Sequence, residues 1–65
     1  MKYYLGMDIG GTKCAVILSE KKADSIKDKI RFETKVERGY TAIVDELISS
    51  AKELLNRNGI SAEDV

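Results

Sequence analysis

Two short apolar runs open the chain, with a pair of glycines between them. Residues 3–9 (YYLGMDI) are mostly apolar, which is typical of a strand that is buried on both faces. Residues 14–18 (CAVIL) form the second run, and their β-branched members favour extended backbone. Because only a short glycine-containing segment separates the two runs, they are predicted to pair as an antiparallel hairpin.

A third segment, residues 30–37 (IRFETKVE), alternates between two kinds of side chain. One side of the alternation is apolar or hydroxylated: Ile30, Phe32, Thr34 and Val36. The other side is charged, so the segment is predicted to be a half-buried strand at the edge of a sheet. The polar residues 20–29 are predicted to form a loop. The three strands together are expected to make an antiparallel meander.

From residue 41 to residue 58 the apolar spacing becomes helical. Apolar side chains recur every three or four residues and form one stripe: Ile43, Val44, Leu47, Ile48, Ala51, Leu54 and Leu55. Thr41 is the predicted N-cap. Gly59 is predicted to end the helix in the left-handed conformation, with Ile60 packing back on the last turn. Residues 61–64 (SAED) match a weak capping box.

These elements predict an α/β unit of β-β-β-α order, an antiparallel three-stranded meander plus one helix. Sixty-five residues give at most one small domain with a marginal core. One helix leaves much of a sheet uncovered, so the unit is expected to be incomplete. Either a partner covers the rest, or residues 1–65 are an N-terminal fragment that ends before the fourth strand of a larger domain.

Charge and cysteine content narrow the function classes. The 11 basic and 11 acidic residues cancel, so the chain lacks the positive charge typical of nucleic-acid binding. Cys14 has no second cysteine to pair with and lies in an apolar run, which indicates a small buried side chain and fits a reducing compartment. No apolar run has the length of a membrane span or a signal-peptide core, so the chain is predicted to be soluble. With the unpaired Cys14, a cytoplasmic location is predicted.

The segment between the first two strands, Asp8-Ile9-Gly10-Gly11-Thr12-Lys13, carries the candidate chemistry. Two glycines allow positive φ angles, so that backbone N–H groups can converge on an anion with no side chain in the way. Thr12 adds a hydroxyl donor and Lys13 a mobile positive charge, both suited to phosphate oxygens. Asp8 would repel a bare phosphate, but it fits a site in which hydrated Mg²⁺ lies between them.

Simpler explanations exist for each of these residues. A Gly-Gly pair between apolar runs is often only a turn, Lys13 can be a solvated cation, and Thr12 can simply begin a strand. Asp8 is the hardest to explain structurally, because an acid at the end of an apolar strand loses hydration without gaining a partner. The motif is not a P-loop and not a Rossmann turn, because its glycines join a strand to a strand.

The stretch YYLGMDIGGTKCAVIL resembles the first phosphate-binding hairpin of the actin-like ATPase and sugar-kinase superfamily, which has a ribonuclease H-like fold. Within that superfamily it is most similar to the ROK family of bacterial sugar kinases and repressors, whose N-termini characteristically contain GIDIGGTK. The order of strands and helix is similar over the whole chain, but only residues 4–18 are specific.

The resemblance implies ATP-dependent phosphorylation of a sugar hydroxyl, on glucose or an N-acetylated hexosamine, in carbohydrate metabolism. It implies that Gly10, Gly11, Thr12 and Lys13 contact the ATP phosphates and that Asp8 holds hydrated Mg²⁺. The family's aspartate base, its sugar-binding Glu-x-Gly-His segment and its cysteine-rich zinc motif have no counterpart in residues 1–65. The chain alone is therefore expected to be inactive, with no catalytic residue of its own.

Other interpretations remain open. Related glycine hairpins occur in other superfamily members, such as N-acetylglucosamine kinases and acyl-CoA dehydratase activators. The chain can also belong to the effector domain of a sugar-responsive ROK transcriptional repressor, although the phosphate motif is often eroded there. A third alternative is a non-catalytic interaction module. As an isolated fragment, residues 1–65 are expected to self-associate into homo-oligomers through the open edge of the first strand, which the complete fold would pair with a further strand.

Overall fold

A computed structural model describes residues 2–22 and 25–65. It contains three strands and one α-helix, with two single 3-10 turns: β1 (Tyr3–Ile9), β2 (Lys13–Glu20), β3 (Ser25–Glu33), Val36–Arg38, α1 (Tyr40–Arg57) and Ala62–Asp64. The strands form one antiparallel sheet in the order β1-β2-β3. The predicted α/β arrangement of a three-stranded meander and one helix is confirmed.

The core lies between one face of β2 and α1. Three side chains of β2 are fully covered, because they alternate toward the helix: Cys14, Val16 and Leu18. The helix contributes the buried members of its apolar stripe: Ile43, Leu47, Ala51 and Leu54. The burial predicted for Cys14 is confirmed, whereas Ile48 of the predicted stripe is largely exposed.

The helix ends as the sequence predicts but begins differently. Gly59 has a φ of 67°, and the Ile60 N–H donates to the Leu55 carbonyl at 2.9 Å, which closes the last turn. At the other end the N-cap is Gly39, so the prediction of Thr41 was wrong. Downstream, the Ser61 hydroxyl accepts a hydrogen bond from the Glu63 N–H at 3.3 Å, so Ser61 is an N-cap. The Asp64 N–H, which a capping box would direct to that hydroxyl, donates to the Ser61 carbonyl instead.

Two strand boundaries differ from the prediction. The segment 20–29 is not one loop, because β3 already begins at Ser25; Ala23 and Asp24 lie outside the described residues. The strand then ends at Glu33 instead of residue 37, where the chain turns into the 3-10 turn. Lys35 adopts a left-handed φ of 50° at this point, which breaks the extended backbone.

The first strand is not buried on both faces, in contrast to the prediction. The helix packs on β2 and β3 and leaves β1 at the uncovered side of the sheet. Met7 is 50% exposed and Ile9 59% exposed, although both side chains point to the same side of the sheet as the core.

No helix in the described ranges is long and apolar enough to cross a membrane.

A charged cluster joins the end of α1 to β3. The Arg57 guanidinium donates to both carboxylate oxygens of Asp28 at 2.7 and 2.8 Å, and the Asn58 amide donates to the same carboxylate at 2.9 Å. These bonds, with that from Arg57 the strongest, hold the pKa of Asp28 well below its ordinary value of 3.8. The ion pair therefore ties the strand to the helix across 29 residues of sequence.

We expect the Asp28→Asn variant to be less stable than the wild type near neutral pH. The pKa of Asp28 is lower in the folded chain than in the unfolded chain, so its contribution is complete above pH 3.8 and disappears as the pH falls below that value. The difference in free energy of unfolding between the two proteins should therefore shrink in acid, as measured by urea unfolding at a series of pH values. Glu53→Gln, which removes the longer 3.8 Å pair with Arg57, is the control and should leave the pH dependence unchanged.

Candidate functional site

The glycine motif forms the turn between β1 and β2. The Gly10 N–H donates to the Lys13 carbonyl at 3.0 Å, which closes the hairpin around Gly11 and Thr12. Both residues at the tip are exposed, as is Lys13 at the start of β2. The tip is therefore open to an approaching ligand.

Thr34 fixes this hairpin from the end of β3. Its hydroxyl donates to the Gly10 carbonyl at 2.8 Å and lies 3.2 Å from the Cys14 sulfur, while its N–H donates to the Thr12 carbonyl at 2.9 Å. Because one hydroxyl has a single hydrogen, the Cys14 thiol is the donor in the bond with sulfur. Thr34 is only 2% exposed, so these bonds anchor the exposed turn to a buried side chain.

The two glycines have different structural roles. The glycines with positive φ in the described residues are Gly39 and Gly59, so the positive φ expected at Gly10 and Gly11 is not used. A Cβ atom at Gly10 would lie 2.9 Å from the Lys13 carbonyl oxygen, which is closer than real contacts allow. A Cβ atom at Gly11 would meet nothing within 4 Å. Gly10 is therefore needed for the close approach of two backbones, and Gly11 leaves open space at the tip.

We expect Gly10→Ala to destabilise the fold by about 1–3 kcal/mol, because the added methyl group pushes against the backbone of the facing strand. Gly11→Ala is the matched control and should change the free energy of unfolding by less than about 0.5 kcal/mol. Urea unfolding of both variants measures the difference. Equal effects of the two substitutions would contradict the close approach at Gly10.

The hairpin borders a shallow depression of about 220 Å³ on the face of the sheet away from α1. Its lining comes from all three strands: Asp8, Lys13, Cys14, Ala15, Ile17, Lys29 and Arg31. A larger depression of about 510 Å³ lies at the opposite end of β1 and β2, but it contains no residue of the glycine motif. The smaller depression is the one that residues of the glycine motif line, namely Asp8 and Lys13.

Asp8 is exposed at the edge of this depression, beside the cationic Lys13. Among the residues that the structure describes, no ion pair within 4.0 Å includes Asp8. No group of three or more potential ligand side chains occurs within residues 2–22 and 25–65, so these residues form no closed metal site. A single solvated carboxylate fits Mg²⁺ that is held mainly by water and by substrate phosphates.

The structure thus brings together two of the predicted site residues, Asp8 and Lys13, in one depression. Gly10, Gly11 and Thr12 lie at the adjoining hairpin tip. Sequence reasoning missed three residues near the site: Thr34, Lys29 and Arg31. The alternation of residues 30–37 includes Thr34 and Arg31, whereas Lys29 falls in the segment that is predicted to be a loop.

No family model, curated protein or solved structure matches this chain. Its function is therefore inferred from the hairpin motif and from the side chains around the depression.

Proposed function

We propose that this chain is the N-terminal phosphate-binding unit of a ROK-type sugar kinase with a ribonuclease H-like fold. Such an enzyme is cytoplasmic and transfers a phosphoryl group from Mg·ATP to a sugar hydroxyl. The observation that carries the proposal is the shared depression of Asp8 and Lys13, directly beside the exposed tip at Gly11 and Thr12.

Each residue has a distinct role in the proposed site. Lys13 neutralises phosphate charge, and the Thr12 hydroxyl donates to a phosphate oxygen. Gly11 keeps the hairpin tip free of a side chain that would block the phosphates, and Gly10 allows the tight turn that presents this tip. Asp8 is the residue that would hold hydrated Mg²⁺. When bound, Mg²⁺ neutralises the charge that spreads over the transferred phosphoryl group. The sugar site and the aspartate base come from parts of the kinase outside residues 1–65.

Titration of the chain with Mg·ATP by calorimetry tests this function. We expect a dissociation constant on the order of 1 mM or weaker, because one exposed hairpin makes few contacts in water. Gly11→Val should weaken this binding further without unfolding the chain, since its side chain would occupy open space at the tip. Lys52→Gln on α1 is the control.

Three results would contradict the assignment. Unchanged affinity in the Gly11→Val variant would remove the hairpin from the binding site. A micromolar dissociation constant, or release of ADP when a hexose is added, would mean that residues 1–65 form a more complete enzyme than proposed.

We also propose that the chain pairs with a second copy of itself along β1. Antiparallel pairing alternates between residues that bond to the neighbouring strand and residues that face away from it. Gly10 bonds to Lys13 and Lys2 bonds to Lys21, so the remaining alternate residues present their N–H and C=O groups to the open edge: Tyr3, Leu5, Met7 and Ile9.

The β1 edge is self-complementary. A twofold arrangement centred on Gly6 would pair Tyr3 with Ile9 and Leu5 with Met7 of the second copy, which joins the two uncovered apolar surfaces. On the other face Asp8 would lie opposite Tyr4, so no like charges meet. The β3 edge, in contrast, is protected by a register shift at Leu18/Ser19 and by a row of charged residues: Lys27, Asp28, Lys29, Arg31 and Glu33.

A further inference from the structure

Lys29 and Arg31 lie on the same face of the sheet as Asp8 and border the same depression. Asp8 is the register partner of Ala15, and Ala15 is the register partner of Arg31, so these three residues form one row across the sheet. Ala15 contributes only a methyl group at the centre of this row. The surface between the Asp8 carboxylate and the Arg31 guanidinium is therefore recessed, because no large side chain fills it.

The depression has more positive than negative charge. Lys13, Lys29 and Arg31 line it with Asp8, and none of these four belongs to an ion pair within 4.0 Å in the described ranges. Glu33 is the register partner of Lys13, but it lines a separate depression with Phe32, Lys35 and Glu46. Three cations with a single carboxylate favour an anionic ligand.

The spacing of the cations indicates the size of that anion. Lys29 is the register partner of Ile17, which lies four residues from Lys13 along β2, so at about 3.3 Å per residue these two cations are about 13 Å apart along the sheet. A single phosphate cannot contact both ends of this span at once, whereas a chain of linked phosphates can. Arg31 can donate two parallel hydrogen bonds to a phosphate, and Lys29 supplies a mobile point charge.

We propose that Lys29 and Arg31, together with Lys13, bind a chain of linked phosphates across the open face of the sheet. The ligand class is a nucleoside triphosphate or an inorganic polyphosphate. This inference rests on the proposed function, because it places the phosphate chain of the same ligand over Ala15 and extends the site from the hairpin to β3.

Calorimetric titration of the chain with inorganic tripolyphosphate, without Mg²⁺, tests this extension. Tripolyphosphate should bind more tightly than orthophosphate, and Lys29→Gln and Arg31→Gln should each weaken its binding about threefold to tenfold. Both side chains are exposed, so the variants should stay folded. Arg31→Lys should recover part of the loss, because it restores the charge without the two-pronged donor.

Lys52→Gln removes the same charge from exposed α1 and should leave tripolyphosphate binding unchanged. If it weakens binding as much as Lys29→Gln does, only net charge matters and the proposal fails. Equal binding of orthophosphate and tripolyphosphate would also overturn it.

The same variants distinguish the two proposals. Mg·ATP binding that depends on Gly11 but not on Lys29 or Arg31 would refute the extension alone. Tripolyphosphate binding that depends on Lys29 and Arg31, without any effect of Gly11→Val on Mg·ATP, would refute the proposed function alone.

Discussion

Replacing Met7 with lysine should abolish the proposed pairing of two β1 strands and leave a monomer of 7.2 kDa. In the wild type the backbone groups of Leu5 and Met7 face the open edge, and the 50% exposed Met7 side chain is part of the uncovered apolar surface. Pairing of two β1 strands would satisfy those groups and cover that surface. A lysine beside Leu5 of the second copy would place a charge in the middle of the new sheet, which costs desolvation without an acid to pair with.

Sedimentation equilibrium over a wide concentration range measures this change. Ile26→Lys is a matched control, since Ile26 is 59% exposed on the opposite edge strand β3. The control variant should associate as the wild type does. A wild-type chain that remains monomeric throughout, or equal effects of the two lysine substitutions, would contradict pairing through β1.

The sequence was sufficient to predict the order of the elements and the face of α1 that is buried. The helical spacing of Ile43, Leu47 and Leu54 identifies the buried face of α1, because these side chains need a common apolar partner. Gly59 could be recognised as the helix end from local chemistry alone. Such features depend on neighbours in sequence, and they were predicted correctly.

The errors lie where distant residues decide the structure. The strand β3 begins inside a charged segment, and its Asp28 is held by Arg57, which is 29 residues away. The prediction that β1 is buried on both faces failed because burial depends on which strand lies beside it. The local sequence pattern does not predict which strand lies beside an edge strand.

The candidate site was only partly predictable for the same reason. Asp8 and Lys13 stood out because the motif contains them, and both line the depression. Thr34 was predicted to point inward, but its bonds to Gly10 and Thr12 depend on where β3 ends. The proximity of Arg31 to the depression depends on strand register, which the alternation of side chains does not fix.

Asp8→Asn should abolish the gain in phosphate binding that Mg²⁺ gives the wild type. At the proposed site the Asp8 carboxylate of the wild type would repel free tripolyphosphate, and bound Mg²⁺ would offset that repulsion. In the variant the repulsion is already absent, so binding without Mg²⁺ should be tighter than in the wild type. Added Mg²⁺ should then give no gain, because it only reduces the ligand charge that Lys13 attracts.

The size of this effect follows from the proposed role of Asp8 as a partner of hydrated Mg²⁺. Loss of such a partner typically costs 10–100-fold in metal affinity or activity, so we expect a loss of about 10-fold or more in the gain from Mg²⁺. In a kinase that carries this segment, turnover should fall by about 10–100-fold for the same reason. Stability should change little, because Asp8 is exposed.

The central claim is that Asp8 helps to bind a phosphate ligand through Mg²⁺. The most direct test is calorimetric titration with tripolyphosphate, with and without Mg²⁺, of the wild type and of Asp8→Asn. Asp45→Asn removes the same charge from an exposed position on α1 and serves as the control. We predict that Mg²⁺ strengthens binding to the wild type and to the control but not to Asp8→Asn. An Asp8→Asn variant that keeps the full gain from Mg²⁺, or that binds metal-free tripolyphosphate more weakly than the wild type, would contradict the assignment.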